Sequence, residues 1–235
     1  MRNRLSIALS VLLAVPLAAG GQGAPDAVAV DPTHHHVLFE NEHVRVFRAL
    51  ASPGDRSPMH THPPFVFVGL ATARLRMATP TATGVIFDVH PEQVLWMENA
   101  EHSWEMIAGQ AHVVAVEVKS ARNRAPAAPA NLPATDAATV DPKAHQVVLE
   151  NDHVRVLEVL ASTGARSQMH SHSRGIVLIS LGRARGRLAM PDGTSVLADF
   201  HPGQVIWMEP GSHSWEIVSG ENRLIAVEVK SAGRK

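Results

Sequence analysis

The sequence predicts an all-β protein made of two tandem sandwiches or barrels, and two observations support this fold class. First, the chain repeats itself: Gly54 to His62 reads GDRSPMHTH, Gly164 to His172 reads GARSQMHSH, and an HSWE segment follows each of them. Second, short runs rich in Val, Ile and Leu alternate with turn signals in both repeats. A repeat of about 110 residues indicates two small domains, each with its own core.

The repeat also sets the expected domain boundaries. The first domain is expected to span residues 25–121 and the second residues 135–235. The segment between them, residues 122–134, is rich in Ala and Pro and has no apolar periodicity. We interpret it as a linker.

The first 24 residues have the pattern of a secretory signal peptide. Arg2 and Arg4 precede an apolar run, and a small-residue stretch, AAGGQGA, follows it. The apolar run is short for a membrane span. We therefore interpret residues 1–24 as a cleaved leader and expect a periplasmic or secreted protein that is free of the membrane after cleavage.

Composition limits the classes of partner and of chemistry. The formal net charge is −1 at pH 7, and Lys and Arg are scattered along the chain rather than clustered. This distribution argues against nucleic-acid binding, which needs a patch of positive charge. A small molecule is the expected partner, and the sequence leaves both a monomer and a homodimer open. The absence of cysteine excludes disulfides, thiolate ligands and cysteine nucleophiles.

Histidines at matching positions in the two repeats suggest two metal sites. His60 and His62 are two residues apart, so they share one face of a predicted strand and present their imidazoles side by side. A third histidine follows about forty residues later in each repeat. The candidate ligands are His60, His62 and His102 in the first repeat and His170, His172 and His213 in the second. The alternative is a set of surface or hydrogen-bonded strand histidines without a metal.

Two sequence motifs in each repeat resemble those of the cupin superfamily. The first is G-x5-H-x-H, which begins at Gly54 and at Gly164. The second is EQVLWMENAEH at 92–102 and GQVIWMEPGSH at 203–213. The resemblance covers nearly all of the mature chain, so the sequence is similar to a bicupin. It implies two tandem double-stranded β-helix (jelly-roll) cupin barrels.

The glutamate that usually follows the histidine pair in cupins is missing from both repeats. Gly175 stands at its position in the second repeat, and the first repeat has no carboxylate between His62 and Phe65. The resemblance therefore implies three-histidine sites for a divalent ion, with Fe, Mn, Zn, Ni and Cu all open. Such a site would keep the full charge of the ion and favour anionic, chelating substrates.

Four more residues are candidates for the binding pocket. Trp104 and Trp215 share strand parity with the third histidines, which predicts that their indoles line the lumen, although they could equally be barrel core. Arg56 and Arg166 lie four residues before the first histidine of each pair. This spacing gives them lumen parity, so we assign them a catalytic role in which a guanidinium binds a substrate carboxylate. The alternative is a solvated arginine, which is common in a glycine-containing turn.

Other repeated polar residues are expected to lie away from the lumen. Strand parity places two glutamates on the outer face, where they could pair with a cation, and four histidines are interpreted as outer-face or capping residues. They are Glu105, Glu216, His35, His43, His145 and His153.

Three functions remain open from the sequence. The first is a metal-dependent enzyme, similar to an iron-type dioxygenase or a related lyase or isomerase, that acts on a small anionic organic molecule. The second is a metal or small-ligand binding protein without turnover, which the lack of a carboxylate base favours. The third is a structural pair of barrels with vestigial sites.

Overall fold

The computed structural model describes residues 23–98, 100–123 and 132–230. The chain divides into two compact units between Asn123 and Arg124. Most of the predicted leader, residues 1–22, and most of the predicted linker, residues 124–131, lie outside the described residues. Among the helices that are described, none has the length and apolar character needed to cross a membrane.

The N-terminal unit consists of two antiparallel sheets. One sheet has the order β1-β2-β9-β4-β7 and the other the order β3-β8-β5-β6. A short helix, α1 (Ala27–Val30), precedes the strands, and a 3-10 helix (Lys119–Asn123) follows them. The strands are β1 (His35–Glu40), β2 (Val44–Ala51), β3 (Arg56–His62), β4 (Phe65–Gly69), β5 (Ala73–Thr79), β6 (Ala82–Val89), β7 (Val94–Met97), β8 (Ala100–Gly109) and β9 (Ala111–Val118).

The C-terminal unit repeats this plan with one long strand in place of two. The strands are β10 (His145–Glu150), β11 (Val154–Ser162), β12 (His170–His172), β13 (Ile176–Ser180), β14 (Arg183–Ala189), β15 (Ser195–Phe200), β16 (Val205–Met208) and β17 (Gly211–Val229), and helix α2 (Ala137–Val140) precedes them. Strand β17 pairs with β12 and β14 along its first part and with β11 and β13 along its second. Strand β17 therefore corresponds to β8 and β9 of the N-terminal unit joined into one strand. The all-β prediction is confirmed.

Glycine is needed where the chain passes from one sheet to the other. Gly109 ends β8 with φ +81°, and a Cβ there would lie 2.2 Å from the carbonyl oxygen of Thr72. Gly220 lies inside β17 with φ +84°, and its Cβ would lie 2.4 Å from the carbonyl oxygen of Arg183. Any larger side chain would combine a strained backbone with a collision against a neighbouring strand.

The core of the N-terminal unit lies between its two sheets, and that of the C-terminal unit lies inside its single eight-stranded sheet. Strand β9 is buried along almost its whole length because its apolar run, AHVVAVEV, pairs with β2 on one side and β4 on the other. On the face of this sheet that lines the lumen, Phe47, Phe65 and Ala115 form a buried cluster. One residue of this strand, Glu117, is also buried, although its side chain is charged. Its partners lie at the candidate site.

Candidate metal centres

Cross-strand pairing brings the predicted histidines together at one end of each barrel. His60 on β3 pairs directly with His102 on β8, and His170 on β12 pairs directly with His213 on β17. His62 and His172 lie two residues further along their strands, on the same face. All six side chains are buried.

The spacing of the imidazoles suits a shared metal ion. With a metal–nitrogen bond of about 2.1 Å, two imidazoles bound at angles between 90° and tetrahedral have ring centroids about 4.5–5.3 Å apart. The centroid distances are 4.9 Å for His60–His62, 4.5 Å for His60–His102 and 5.4 Å for His62–His102. In the C-terminal barrel they are 5.1 Å for His170–His172, 4.6 Å for His170–His213 and 5.3 Å for His172–His213.

Backbone carbonyls fix the tautomer of the first histidine of each pair. The Nδ1 of His60 lies 2.7 Å from the carbonyl oxygen of Pro58, and the Nδ1 of His170 lies 2.8 Å from that of Gln168. A carbonyl oxygen only accepts, so each Nδ1 carries the hydrogen and each Nε2 keeps a lone pair. Within the described parts of the chain, these two buried Nε2 atoms have no hydrogen-bond partner, and neither does the Nδ1 of His102. An unpaired buried nitrogen that carries a lone pair fits a bound cation.

A buried glutamate fixes the tautomer of the second histidine of each pair. The Nδ1 of His62 donates to Glu117 Oε1 at 3.1 Å, and the Nδ1 of His172 donates to Glu228 Oε1 at 2.8 Å. Both glutamates are buried. Metal-binding histidines are commonly oriented by a carboxylate on the second nitrogen, which leaves the other lone pair free for the ion. Each barrel therefore does have a carboxylate near the histidines, but it bonds to the Nδ1 of a histidine instead of standing among the candidate ligands.

An arginine and an aspartate, both partly buried in the N-terminal barrel, complete this chain of charges. In the N-terminal barrel, Arg45 Nε donates to Glu117 Oε2 at 2.5 Å, and its two terminal nitrogens donate to Asp26 at 3.0 and 2.6 Å. Asp26 also caps α1, because its Oδ1 accepts from the backbone nitrogen of Val28 at 3.1 Å. Two hydrogen bonds to one carboxylate fix the guanidinium plane. We call this His62–Glu117–Arg45–Asp26 chain the N-terminal relay.

The C-terminal relay has the same members and is more deeply buried. It runs from His172 through Glu228 and Arg155 to Asp136, and Arg155 Nε lies 2.6 Å from Glu228 Oε2. Burial alone would raise the pKa of Glu228, but its hydrogen bonds to His172 and Arg155 lower that pKa to about 2. Glu228 is therefore ionised at neutral pH and holds the Nδ1 hydrogen of His172.

Burial keeps most of the clustered histidines neutral, which is the form that binds metals. It is the main cause that lowers the pKa of His60, of His62 and of His102, the last two well below the usual value. It also lowers the pKa of His213 to about 3, helped by the nearby His170.

His35 and His145 are not outer-face residues, so that sequence prediction is wrong. Both are buried, with 3% of each residue exposed. The ring centroid of His35 lies 5.1 Å from that of His60, and the ring centroid of His145 lies 4.5 Å from that of His170. The ligand nitrogens of His35, His60 and His62 lie within 4.8 Å of one another. In the C-terminal barrel the same holds for His170, His172 and His213.

The prediction that Arg56 and Arg166 point into the lumen is also wrong. Their side chains are 73% and 72% exposed, and they pair at 2.7 and 2.8 Å with Glu105 and Glu216 on the outer face. Parity fails because the backbone between each arginine and its histidine is irregular. The pairing register of β3 shifts between Ser57 and His60, and β12 begins only at His170.

An apolar cavity lies beside each histidine cluster. The N-terminal cavity has a volume of about 80 Å³, with Trp104, Phe67 and Met77 in its wall together with His62 and His102. The C-terminal cavity has a volume of about 50 Å³, with Trp215, Leu178 and Phe200 in its wall together with His172 and His213. Among the described residues, no arginine or lysine lines either cavity.

Comparison with solved structures shows the cupin fold. Bacillus subtilis oxalate decarboxylase, in a structure that concerns its Mn(II) centres, is 12% identical, with a TM-score of 0.55 over 83% of this chain and 71% of that chain. AerE from Microcystis aeruginosa is 12% identical, with a TM-score of 0.53 over 83% of this chain and 96% of that chain. A cupin 2 conserved barrel domain protein from Leptotrichia buccalis is 8% identical, with a TM-score of 0.50 over 83% and 88%.

No protein-family model matches the sequence. No curated protein matches it significantly either. The structural likeness at such low identity establishes the fold alone, so the predicted pair of jelly-roll barrels is confirmed while the chemistry depends on the residues described above.

Replacing the arginine of the C-terminal relay should destabilise the protein strongly. Arg155→Met leaves Glu228 and Asp136 buried without their cation, and we expect a loss of about 3–5 kcal/mol in the free energy of unfolding. Arg166→Met is the matched control, because its ion pair is exposed and should contribute less than about 1 kcal/mol. Denaturant unfolding followed by tryptophan fluorescence measures both. Equal losses in the two variants would contradict the structural role of the relay.

Proposed function

We propose that each barrel binds one divalent transition-metal ion through its buried histidine cluster. The observation that carries the proposal is the orientation of the imidazoles. In each barrel, the Nδ1 hydrogens of the histidine pair bond to a carbonyl oxygen and a glutamate, which turns both Nε2 lone pairs towards a common point. Buried nitrogens without a hydrogen-bond partner destabilise the fold, and a bound cation would remove that cost.

The donor set favours borderline transition metals over calcium or magnesium. Imidazole nitrogens suit Zn, Cu, Ni and Fe, whereas Ca and Mg prefer oxygen ligands. Manganese stays a candidate because the similar oxalate decarboxylase structure concerns Mn(II) centres. A bound ion of this kind supplies a positive charge that polarises a ligand held next to it.

The cavities indicate what else enters the barrels. Because apolar side chains form most of each wall, we propose a small organic ligand with a largely apolar body. Arg56 and Arg166 lie on the outer face, and the described residues that line the cavities include no arginine or lysine, so a bound metal ion would be the cation that meets an anionic group. A ligand that is both small and anionic would therefore place its charge at the ion and the rest of its surface against Trp104 or Trp215.

A periplasmic or secreted location remains part of the proposal. It rests on the signal-peptide pattern of residues 1–24.

Metal analysis of single-barrel variants tests the proposal. Mass spectrometry of the purified mature protein should find close to two equivalents of transition metal per chain. His60→Ala/His62→Ala and His170→Ala/His172→Ala should each lose one equivalent. His90→Ala and His201→Ala remove exposed histidines from the same two barrels and should lose none.

Circular dichroism of each variant separates loss of ligands from loss of fold. The proposal fails if the wild-type protein binds no transition metal after loading with Zn²⁺, Mn²⁺, Cu²⁺, Ni²⁺ or anaerobic Fe²⁺.

A metal-dependent oxygenase is the second candidate, and the open cavity beside each cluster favours it. It predicts that the protein loaded with iron under anaerobic conditions takes up oxygen when a small phenol, diketone or thiol is present. The uptake should require both the iron and the organic compound, and His170→Ala/His172→Ala should reduce it. If iron is bound and no compound supports uptake, the protein is a binding module for a metal and a small ligand.

A further inference from the structure

The two lumen cavities differ in the kind of side chain that lines them, although they lie at matching places in the repeat. Besides the histidines, four phenyl rings and one indole line the N-terminal cavity. Among the described residues, one phenyl ring and one indole line the C-terminal cavity, and most of its other wall residues are aliphatic. The rings belong to Phe47, Phe65, Phe67, Phe87 and Trp104 in the first cavity and to Phe200 and Trp215 in the second.

All four phenyl positions of the N-terminal cavity carry aliphatic side chains in the second repeat. The strand register fixes the correspondence, since Phe65 pairs with Met97 as Ile176 pairs with Met208. The second repeat has Leu157 for Phe47, Ile176 for Phe65, Leu178 for Phe67 and Ala198 for Phe87.

The phenyl ring of Phe200 does not restore an aromatic wall in the C-terminal barrel. Phe200 stands where the first repeat has Val89, because these two residues pair with corresponding alanines of β14 and β5. A Cβ at Gly186 would lie 3.0 Å from Cε2 of Phe200, so the phenyl ring lies over this glycine. The first repeat has Leu75 at the position of Gly186. Phe200 therefore exchanges places with aliphatic side chains and leaves the four lost rings unreplaced.

In the N-terminal barrel, the aromatic wall begins at a candidate metal ligand. The ring of His62 stacks on Phe47, with centroids 5.5 Å apart and 15° between the planes, and its centroid lies 5.1 Å from that of Phe65. Two other wall residues, Phe67 and Phe87, meet edge to face with centroids 5.7 Å apart and planes at 88°. A ligand whose anionic group binds an ion at His62 would therefore place its body among phenyl rings.

We propose that the N-terminal barrel selects a small aromatic carboxylate, whereas the C-terminal barrel takes aromatic and saturated carboxylates alike. This inference rests on the proposed function, in which the metal ion binds the anionic group and the cavity holds the apolar body. An aromatic body can present its positive edge to the negative face of a phenyl ring, and a saturated body of the same size cannot. Each well-placed ring pair then favours the aromatic ligand by about 2- to 10-fold in affinity.

Benzoate and cyclohexanecarboxylate test this preference, because they carry the same charge on six-membered rings of which only one is aromatic. Trp215→Phe leaves Trp104 as the fluorescent side chain in the wall of the N-terminal cavity, and Trp104→Phe leaves Trp215 in that of the C-terminal cavity. Trp96 and Trp207 remain in both proteins as a common background. Each protein is loaded with Zn²⁺ and titrated with either compound while tryptophan fluorescence is recorded.

We expect the two tryptophans to report different preferences. In Trp215→Phe, benzoate should bind about 5- to 10-fold more tightly than cyclohexanecarboxylate, because phenyl rings surround the ligand. In Trp104→Phe, the two dissociation constants should agree within about 2-fold, because the wall is mainly aliphatic.

Variants that exchange wall residues between the repeats provide the matched comparison. Phe67→Leu/Phe87→Ala, made in the Trp215→Phe protein, gives the N-terminal cavity the side chains of the C-terminal one and should reduce the preference to the C-terminal value. Met77→Leu is the control, because it also introduces the C-terminal counterpart, Leu188, but removes no ring and should keep the preference. Phe67→Leu alone disturbs the packing less than the double substitution and should reduce the preference in part. Circular dichroism verifies the fold of each.

The outcomes separate this inference from the proposed function. Equal preferences at the two tryptophans, or a preference that survives both ring-removing variants, overturn the inference and leave metal binding intact. The same holds if Met77→Leu abolishes the preference, or if neither compound binds to a protein that holds zinc. A protein that binds no transition metal removes the proposed function and this inference together.

Discussion

In each barrel, the orientation of one buried imidazole depends on a glutamate that bonds to its Nδ1. Glu117 in one barrel and Glu228 in the other hold the Nδ1 hydrogens of His62 and His172, so the opposite nitrogens face the other histidines. A buried carboxylate is costly unless a cation accompanies it, and Arg45 and Arg155 supply that cation. Removing the arginine leaves Glu117 or Glu228 buried without its cation.

The relay also connects the site to the beginning of each domain. Asp26 and Asp136 each bind the arginine with two oxygens and cap a short helix with one of them. The segment before the first strand is thereby fixed against the end of the barrel where the histidines lie. The first strand carries His35 or His145, so this histidine begins the strand directly after the fixed segment and lies beside the cluster.

Moving the carboxylate away from the ion changes what the site can bind. A site with a glutamate ligand would offer mixed nitrogen and oxygen donors, whereas these clusters offer only nitrogen. Each relay contains one arginine and two carboxylates and therefore carries a net negative charge. This charge is separated from the candidate metal position by one histidine ring. This charge stabilises a cation without occupying a coordination position, and the apolar wall of the cavity excludes competing polar groups.

The repeat and the strand pattern were sufficient to predict the fold. Five of the six predicted histidines fall in the two groups whose ligand nitrogens lie within 4.8 Å of one another, and in the N-terminal group His35 takes the place of the predicted His102. The alternation of strand residues did not predict where the side chains of Arg56 and Arg166 point. A register shift or an unpaired segment between each arginine and its histidine breaks that alternation.

His35 and His145 were misjudged because burial depends on which strand covers the barrel end, which no local pattern records. A signal for the relay was present: a glutamate occurs in the apolar strand AVEV of both repeats, and a buried charge requires a partner. Identifying that partner as Arg45 or Arg155, more than 70 positions away, required the strand order.

X-ray absorption at the zinc edge tests the central claim most directly. The protein loaded with Zn²⁺ should show a first shell of nitrogen at about 2.0–2.1 Å, with the outer-shell scattering of three or more imidazole rings per ion. A first shell made mainly of carboxylate or water oxygen, with scattering from fewer than two imidazoles, would contradict the account, because the oriented histidines would then not be the ligands.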